Sequence, residues 1–214
     1  MIPSIKDLPP PLVPSASAIL TGKHLTTLEV IMAQRYAQFG QAISTKQHAA
    51  ARMAGYLVVS AAMGEKPRAC DIGERDQVGS NYWSVFVDWD ADYLLKPISQ
   101  DTDPLTLVKA ALHYEAGVGG EAFNGLYHPA SSLPDVYRSG VCSVLLDYLF
   151  KVPLNTYCVR LAALSMQILK ENCVQFEALR SRLVKNESVS ELEVSMLMES
   201  VSVVDLNQYL GRLQ

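Results

Sequence analysis

The sequence predicts a mainly α-helical protein, a bundle of about six or seven helices with one short aromatic strand or hairpin. Three observations predict it. Beyond residue 24, apolar residues recur mostly at steps of three and four, the period of a helix with one buried stripe. Capping signals stand where several of those stripes begin. One stretch alone, around residues 81–89, is rich in aromatic and β-branched side chains, as a strand requires.

Residues 1–23 carry Pro3, Pro9, Pro10, Pro11 and Pro14, which cannot donate a regular hydrogen-bond ladder, so an extended arm is expected there. The remaining chain, 24–214, is read as one helical domain. Thr26-Thr27-Leu28-Glu29 fits a capping box, and Leu28, Met32, Tyr36, Phe39 and Ile43 form the stripe behind it. Ser44-Thr45-Lys46-Gln47 repeats that pattern and starts a second helix, which runs to Met63 with Gly64 as its left-handed stop. Its many alanines let a neighbouring helix approach closely.

From Lys66 to Ser80 the chain is charged and interrupted by Pro67, Gly73 and Gly79, which reads as a loop. The aromatic strand after it needs an edge to pair with, either an unrecognised second strand or a partner's sheet. Asp103-Pro104 starts the next helix, with Asp as cap and Pro in the first turn. Gly117 is expected to end it, residues 117–134 to form a connector, and Leu133-Pro134-Asp135 to lead into a helix reaching Phe150. Pro153 separates that helix from the longest pattern, Leu154 to Lys185, whose stripe is Tyr157, Leu161, Leu164, Ile168, Phe176, Leu179 and Leu183. Asn172 interrupts the stripe, as a hydrogen-bonded residue near a helix crossing or as a register-setting group at an interface. A polar turn, Asn186 to Ser190, precedes a last helix carrying Leu192, Met196, Val203, Leu206 and Leu210.

Composition narrows the function classes. Of 214 residues, 49% are hydrophobic and 19% charged, against about 25% charged in an average protein. The net charge of −4 disfavours a free-standing nucleic-acid binder, since phosphate affinity comes from clustered Lys and Arg. Cys70, Cys142, Cys158 and Cys173 show no Cys-x-x-Cys pair and read as small hydrophobes in a reducing cytoplasm. The first residues lack the apolar core of a signal peptide, and the longest apolar stretch, residues 53–63, is too short for a membrane span.

Few residues point to chemistry. Val85-Phe86-Val87-Asp88-Trp89-Asp90-Ala91-Asp92 ends a strand in three alternate carboxylates, a set able to hold Mg²⁺. This octet resembles the first motif of haloacid-dehalogenase-like phosphotransferases and the Asp-x-Asp of metal-dependent glycosyltransferases. The resemblance implies a metal-dependent phosphate- or sugar-transferring enzyme using Asp88, Asp90 and Asp92. Asp92 departs from the phosphotransferase pattern, which has Thr or Val there, and the same residues also read as a solvated strand end. The glycine-rich run 117–125 lacks the Gly-Lys-Ser/Thr of a phosphate loop, and His24, His48, His113 and His128 form no His-x-x-x-His pair. Arg180, Arg182 and Lys185 complement a helix C-terminus, or else contact nucleic acid within a complex.

The reading that best fits these residues is a non-enzymatic interaction or adaptor subunit of an intracellular assembly, with a protein partner or further copies of itself, no cofactor and no membrane span. Its expected contact surfaces are the arm at Pro9, Pro10 and Pro11 and the aromatic segment at Tyr82, Trp83, Phe86 and Trp89.

Overall fold

In the computed structural model of this protein, the described residues are 45–66, 68–77, 80–87, 98–127 and 129–211; for 75–77, 80–82, 129–131, 133 and 134 the backbone alone is described. The Pro-rich arm, the first capping box with its stripe, Trp89 and the Asp88, Asp90 and Asp92 cluster lie outside these residues. Seven helices and a three-stranded antiparallel sheet make up the described fold, in the order α1 (Lys46–Ala62), β1 (Cys70–Gln77), β2 (Ser80–Val87), α2 (Pro104–Phe123), α3 (Pro129–Leu149), α4 (Thr156–Glu171), α5 (Cys173–Asn186), β3 (Ser188–Val189), α6 (Glu191–Met198) and α7 (Leu206–Gly211).

Helix α1 forms the centre. Its cap is one residue later than the sequence pattern suggests: Thr45 accepts from the His48 amide, and the His48 ring faces the Thr45 amide in return. Gly64 closes it at φ +79°, the left-handed geometry in which glycine meets no Cβ penalty. Ala50, Ala51, Met53, Ala54, Leu57, Val58 and Val59 are wholly buried, so the helix is enclosed rather than amphipathic. Helices α2, α4 and α5 and the sheet all pack on it.

Helix α2 begins as expected, with the Asp103 carboxylate accepting from the Thr106 amide at 2.9 Å; these hydrogen bonds hold the Asp103 carboxyl below its ordinary range. It does not stop at Gly117. It runs on through Gly119 and Gly120 to Phe123, because these glycines serve packing. A Cβ on Gly120 would lie 2.3 Å from the Ala51 carbonyl oxygen, and one on Gly55 2.1 Å from that of Ala116. The α1 and α2 backbones are thus in direct contact, and Gly117 leaves room for the hydroxyl end of the Tyr56 ring. Close contact outweighs the helix propensity that each glycine forfeits, about 1 kcal/mol against alanine.

Three further expectations are corrected. The stretch read as a loop contains β1, the missing partner of the aromatic strand, paired from Cys70↔Val87 to Gln77↔Ser80. Its Asp, Glu, Arg and Gln residues hide it from any propensity argument, and it is the tertiary pairing that selects it. Strand β3 adds to its other edge through Cys70↔Val189, so β1 is central in the order β2-β1-β3. Helix α3 starts at Pro129, within the expected connector, and carries Pro134 inside its second turn. In the tail, Val194, Met198, Val201, Leu206 and Leu210 are buried, whereas Leu192, Met196 and Val203 point outward. The tail breaks between α6 and α7, where the Val204 amide donates to the Ala62 carbonyl at 2.8 Å and satisfies an end group of α1.

The α4–α5 stripe is buried as the periodicity requires. Asn172 marks the break between the two helices. Its side-chain amide donates to the Ile168 carbonyl at 2.8 Å, and its oxygen accepts from the Ser202 amide at 3.3 Å, so it ties the helix junction to the tail. The hydrogen-bonded reading therefore describes it.

Candidate functional site

Two features of the described residues stand apart from an ordinary apolar core. One is internal. Helices α1, α2 and α3 enclose a polar network in which Glu121 is fully buried and accepts from Arg52 through Nε at 3.0 Å and Nη2 at 2.6 Å. Its second oxygen accepts from the Ser132 hydroxyl at 2.7 Å. Asp135 stands 3.9 Å from Arg52 Nε and accepts a short hydrogen bond from the Tyr56 hydroxyl. Glu115 accepts from the Ser139 hydroxyl at 2.5 Å. Beside them the His113 ring stacks on Tyr56, with centroids 4.7 Å apart and planes 5° from parallel. Its Nδ1 lies 3.4 Å from the Ser60 hydroxyl.

Burial governs the charges here. It raises the carboxyls of Asp135 and Glu115 above their ordinary values, against the lowering effect of Arg52 on the first and of the Ser139 hydrogen bond on the second. Burial also works against the Arg52 cation, but Asp135 and Glu121 outweigh it, so the guanidinium keeps its proton more firmly than usual. His113 is pushed down to about 3, first by burial and then by Arg138, and is neutral at physiological pH. The carboxylates and His113 are buried, Arg52 is mostly so, and the hydrogen bonds and ion pair join side chains of three helices.

A pH dependence follows with a definite sign. A histidine whose folded value lies below its ordinary 6.5 stabilises the fold above pH 6.5, and that contribution is lost as pH falls through about 3. The loss reaches about 3 kcal/mol by pH 4.5. Glu115 and Asp135, with raised values, act oppositely: their contribution is full below their ordinary values and is lost as pH rises through the folded ones. Comparing urea midpoints of the wild type and His113→Phe, which keeps the ring on Tyr56, isolates the histidine. The variant is expected to lose about 3 kcal/mol less between pH 7 and pH 4.5, and equal acid limbs would refute the assignment.

The second feature is external. Where α3 ends and the chain turns into α4, Val144, Leu149, Val152 and Leu154 line a groove of about 470 Å³, with Tyr148 and Lys151 at its edge. Its floor holds Asp147. One oxygen of that carboxylate accepts from the Tyr157 amide at 2.9 Å and caps α4, while Oδ2 is buried without a hydrogen-bond partner. Tyr148 is 60% exposed, Leu154 67% and, one turn into α4, Val159 68%. On the far element α6, Leu192 and Met196 are 70% and 67% exposed, one helical turn apart.

The residues singled out from the sequence fall elsewhere. Trp83 packs partly buried against the core, under the Lys46 ammonium at 5.3 Å from its ring centroid, while Phe86 occupies the alternate strand face opposite Asp71. Of Tyr82 the backbone is described, in register with Arg75. Pro9, Pro10, Pro11, Trp89 and the three aspartates lie outside the described residues. Among those described, no group of His, Cys, Asp and Glu is arranged to hold a metal ion, and no helix is long and apolar enough to cross a membrane. Arg180 donates twice to Glu177, and Arg182 pairs with Glu193, so carboxylates answer two of the three expected basic residues; Lys185 stands in the last turn of α5. Neither the buried network nor the groove was recognised in the sequence, because their members come from separate helices at irregular spacing. Compared with protein-family models and with curated proteins, the chain matches none.

Proposed function

We propose that this chain is a non-enzymatic helical interaction subunit of a multiprotein assembly. The observation carrying this reading is the placement of its outward apolar side chains. Tyr148, Leu154, Val159, Val174, Leu192, Met196 and Val203 are each 60–73% exposed. Single exposed apolar residues are ordinary on any protein. Here Tyr148 and Leu154 edge a common groove and Leu192 and Met196 share a helix face, and such grouping marks contact surfaces. The buried polar groups support the same reading, since those of the network are occupied in holding helices together.

A reducing, cytoplasmic setting belongs to this proposal. All four cysteines are free, and burial pushes the thiols of Cys70 and Cys142 up to about 12, which keeps them protonated and inert.

The test is quantitative affinity purification from the native cell, comparing the wild type with Leu154→Glu/Val159→Glu. Both positions are exposed, so the fold is expected to survive and its circular dichroism to be unchanged. At least one copurifying protein should fall tenfold or more with the variant. An identical set of proteins with both chains would overturn the proposal.

A further inference from the structure

The two outward apolar features of this molecule complement each other in charge. The α3–α4 groove has Lys151 at its edge, and Arg160 follows one residue after Val159. Arg160 is exposed in the second turn of α4, and its charge acts on Asp147 and Tyr157 and on Tyr209 of α7. Neither cation has an ion-pair partner among the described residues. Helix α6 is the reverse case. Leu192, Ser195, Met196 and Glu199 follow at helical spacing, all exposed, with Glu191 at the start of the same face. Glu193 is occupied by the Ser190 cap and by Arg182, leaving Glu191 and Glu199 as the outward charges. One surface is therefore apolar with basic residues at its edge around the buried, α4-capping Asp147, and the other apolar with acidic ends.

We infer that the groove of one molecule receives the α6 face of a second copy of this chain. Leu192 and Met196 enter among Leu149, Val152 and Leu154, while Glu191 and Glu199 meet Lys151 and Arg160. The contact joins two different patches, so it is heterologous and continues into a ring or a short filament rather than ending at a symmetric pair. Charge complementarity of this kind sets orientation and rejects like-charged alternatives, and apolar burial supplies the affinity. The inference rests on the interaction-subunit reading and names its partner as another copy.

Because both patches lie on one chain, the test is complementation. Leu192→Glu/Met196→Glu removes the α6 face and leaves the groove; Leu154→Glu/Val159→Glu does the opposite. The mass of the purified wild type, by light scattering or sedimentation, should rise with concentration above the 23.5 kDa of one chain. Each variant alone should remain at one chain mass with an unchanged thermal midpoint. Mixed in equal amounts, they should form a species of twice that mass, since one intact groove and one intact α6 face then remain. Association of the wild type should weaken with added salt.

A wild type that stays at one chain mass throughout overturns the inference. If the groove variant nevertheless loses a partner in cells, the interaction-subunit reading stands and the second copy alone is discarded. Variants that associate like the wild type, or that lose association singly without complementing, overturn the groove-to-α6 pairing. A lowered thermal midpoint for Leu192→Glu/Met196→Glu at constant mass would assign the α6 face to a segment of the same molecule, with the same consequence.

Discussion

Replacing Gly120 or Gly55 with alanine is expected to destabilise this protein by at least about 3 kcal/mol, and replacing both to abolish its cooperative unfolding transition. A single methyl group has this effect because of what it meets. The added carbon at Gly120 would sit 2.3 Å from the Ala51 carbonyl oxygen, and at Gly55 2.1 Å from the Ala116 oxygen. Those obstacles are backbone, so no rotamer change relieves them; α1 and α2 must separate. Helix α1 is also the surface on which α4, α5 and the sheet rest, so separation loosens packing well beyond the contact. Gly73→Ala is the control, since its nearest neighbour, Phe86 Cε2, would be at an ordinary 3.5 Å. Urea midpoints for the three single variants test the argument, and a Gly120→Ala chain within 1 kcal/mol of the wild type would show that the two backbones do not touch.

Breaking the buried ion pair from one side is the other large effect. Glu121→Ala leaves the Arg52 guanidinium, its side chain 16% exposed, facing Asp135 alone at 3.9 Å, and leaves the Ser132 hydroxyl without its acceptor. The expected loss is about 3–5 kcal/mol, the range for an uncompensated buried charge. Arg52→Met takes the cation from the buried Glu121 carboxylate, which keeps its hydrogen bond from Ser132, and should cost a similar amount. Removing both charges together, as Arg52→Met/Glu121→Leu, should recover most of the loss, because well-packed apolar groups of similar volume replace a buried pair at little penalty. Chemical denaturation of the four chains forms a double-mutant cycle. Additive single losses would mean that Arg52 and Glu121 are not coupled, and the network would lose its centre.

These predictions concern residues whose roles the sequence conceals, while other parts of the fold are written locally. Thr45, Asp103, Ser190 and Gly64 mark helix ends through bonds or dihedral angles that involve only a few consecutive residues, so their signals are readable without the rest of the chain. The stripe from Tyr157 to Leu183 is likewise local, since a helix places every third or fourth residue on one side wherever it lies. By contrast, the run from Gly117 to Gly120 has the composition of a connector and the structure of a helix interior. The difference is Ala51 and Tyr56, more than sixty residues earlier in the chain.

Strand β1 and the outward turn of Leu192 and Met196 have the same origin. Cys70-Asp71-Ile72-Gly73 carries little strand preference, but hydrogen bonds to β2 on one side and β3 on the other make it the middle of a sheet. In the tail, Val204 bonds to Ala62 of the distant α1, and Val194 and Met198 take the buried places that spacing alone assigns to Leu192 and Met196.

What the sequence determined by itself is the class and part of the punctuation: helices, the starts or stops at Asp103, Gly64 and Glu191, and one aromatic strand, since hydrophobic period and capping act over a few residues. Tertiary structure decided which glycines pack and which apolar side chains face outward, and joined Arg52, Glu121 and Asp135 into one network. Those outcomes depend on distances between segments far apart in the chain, and no local pattern carries such distances.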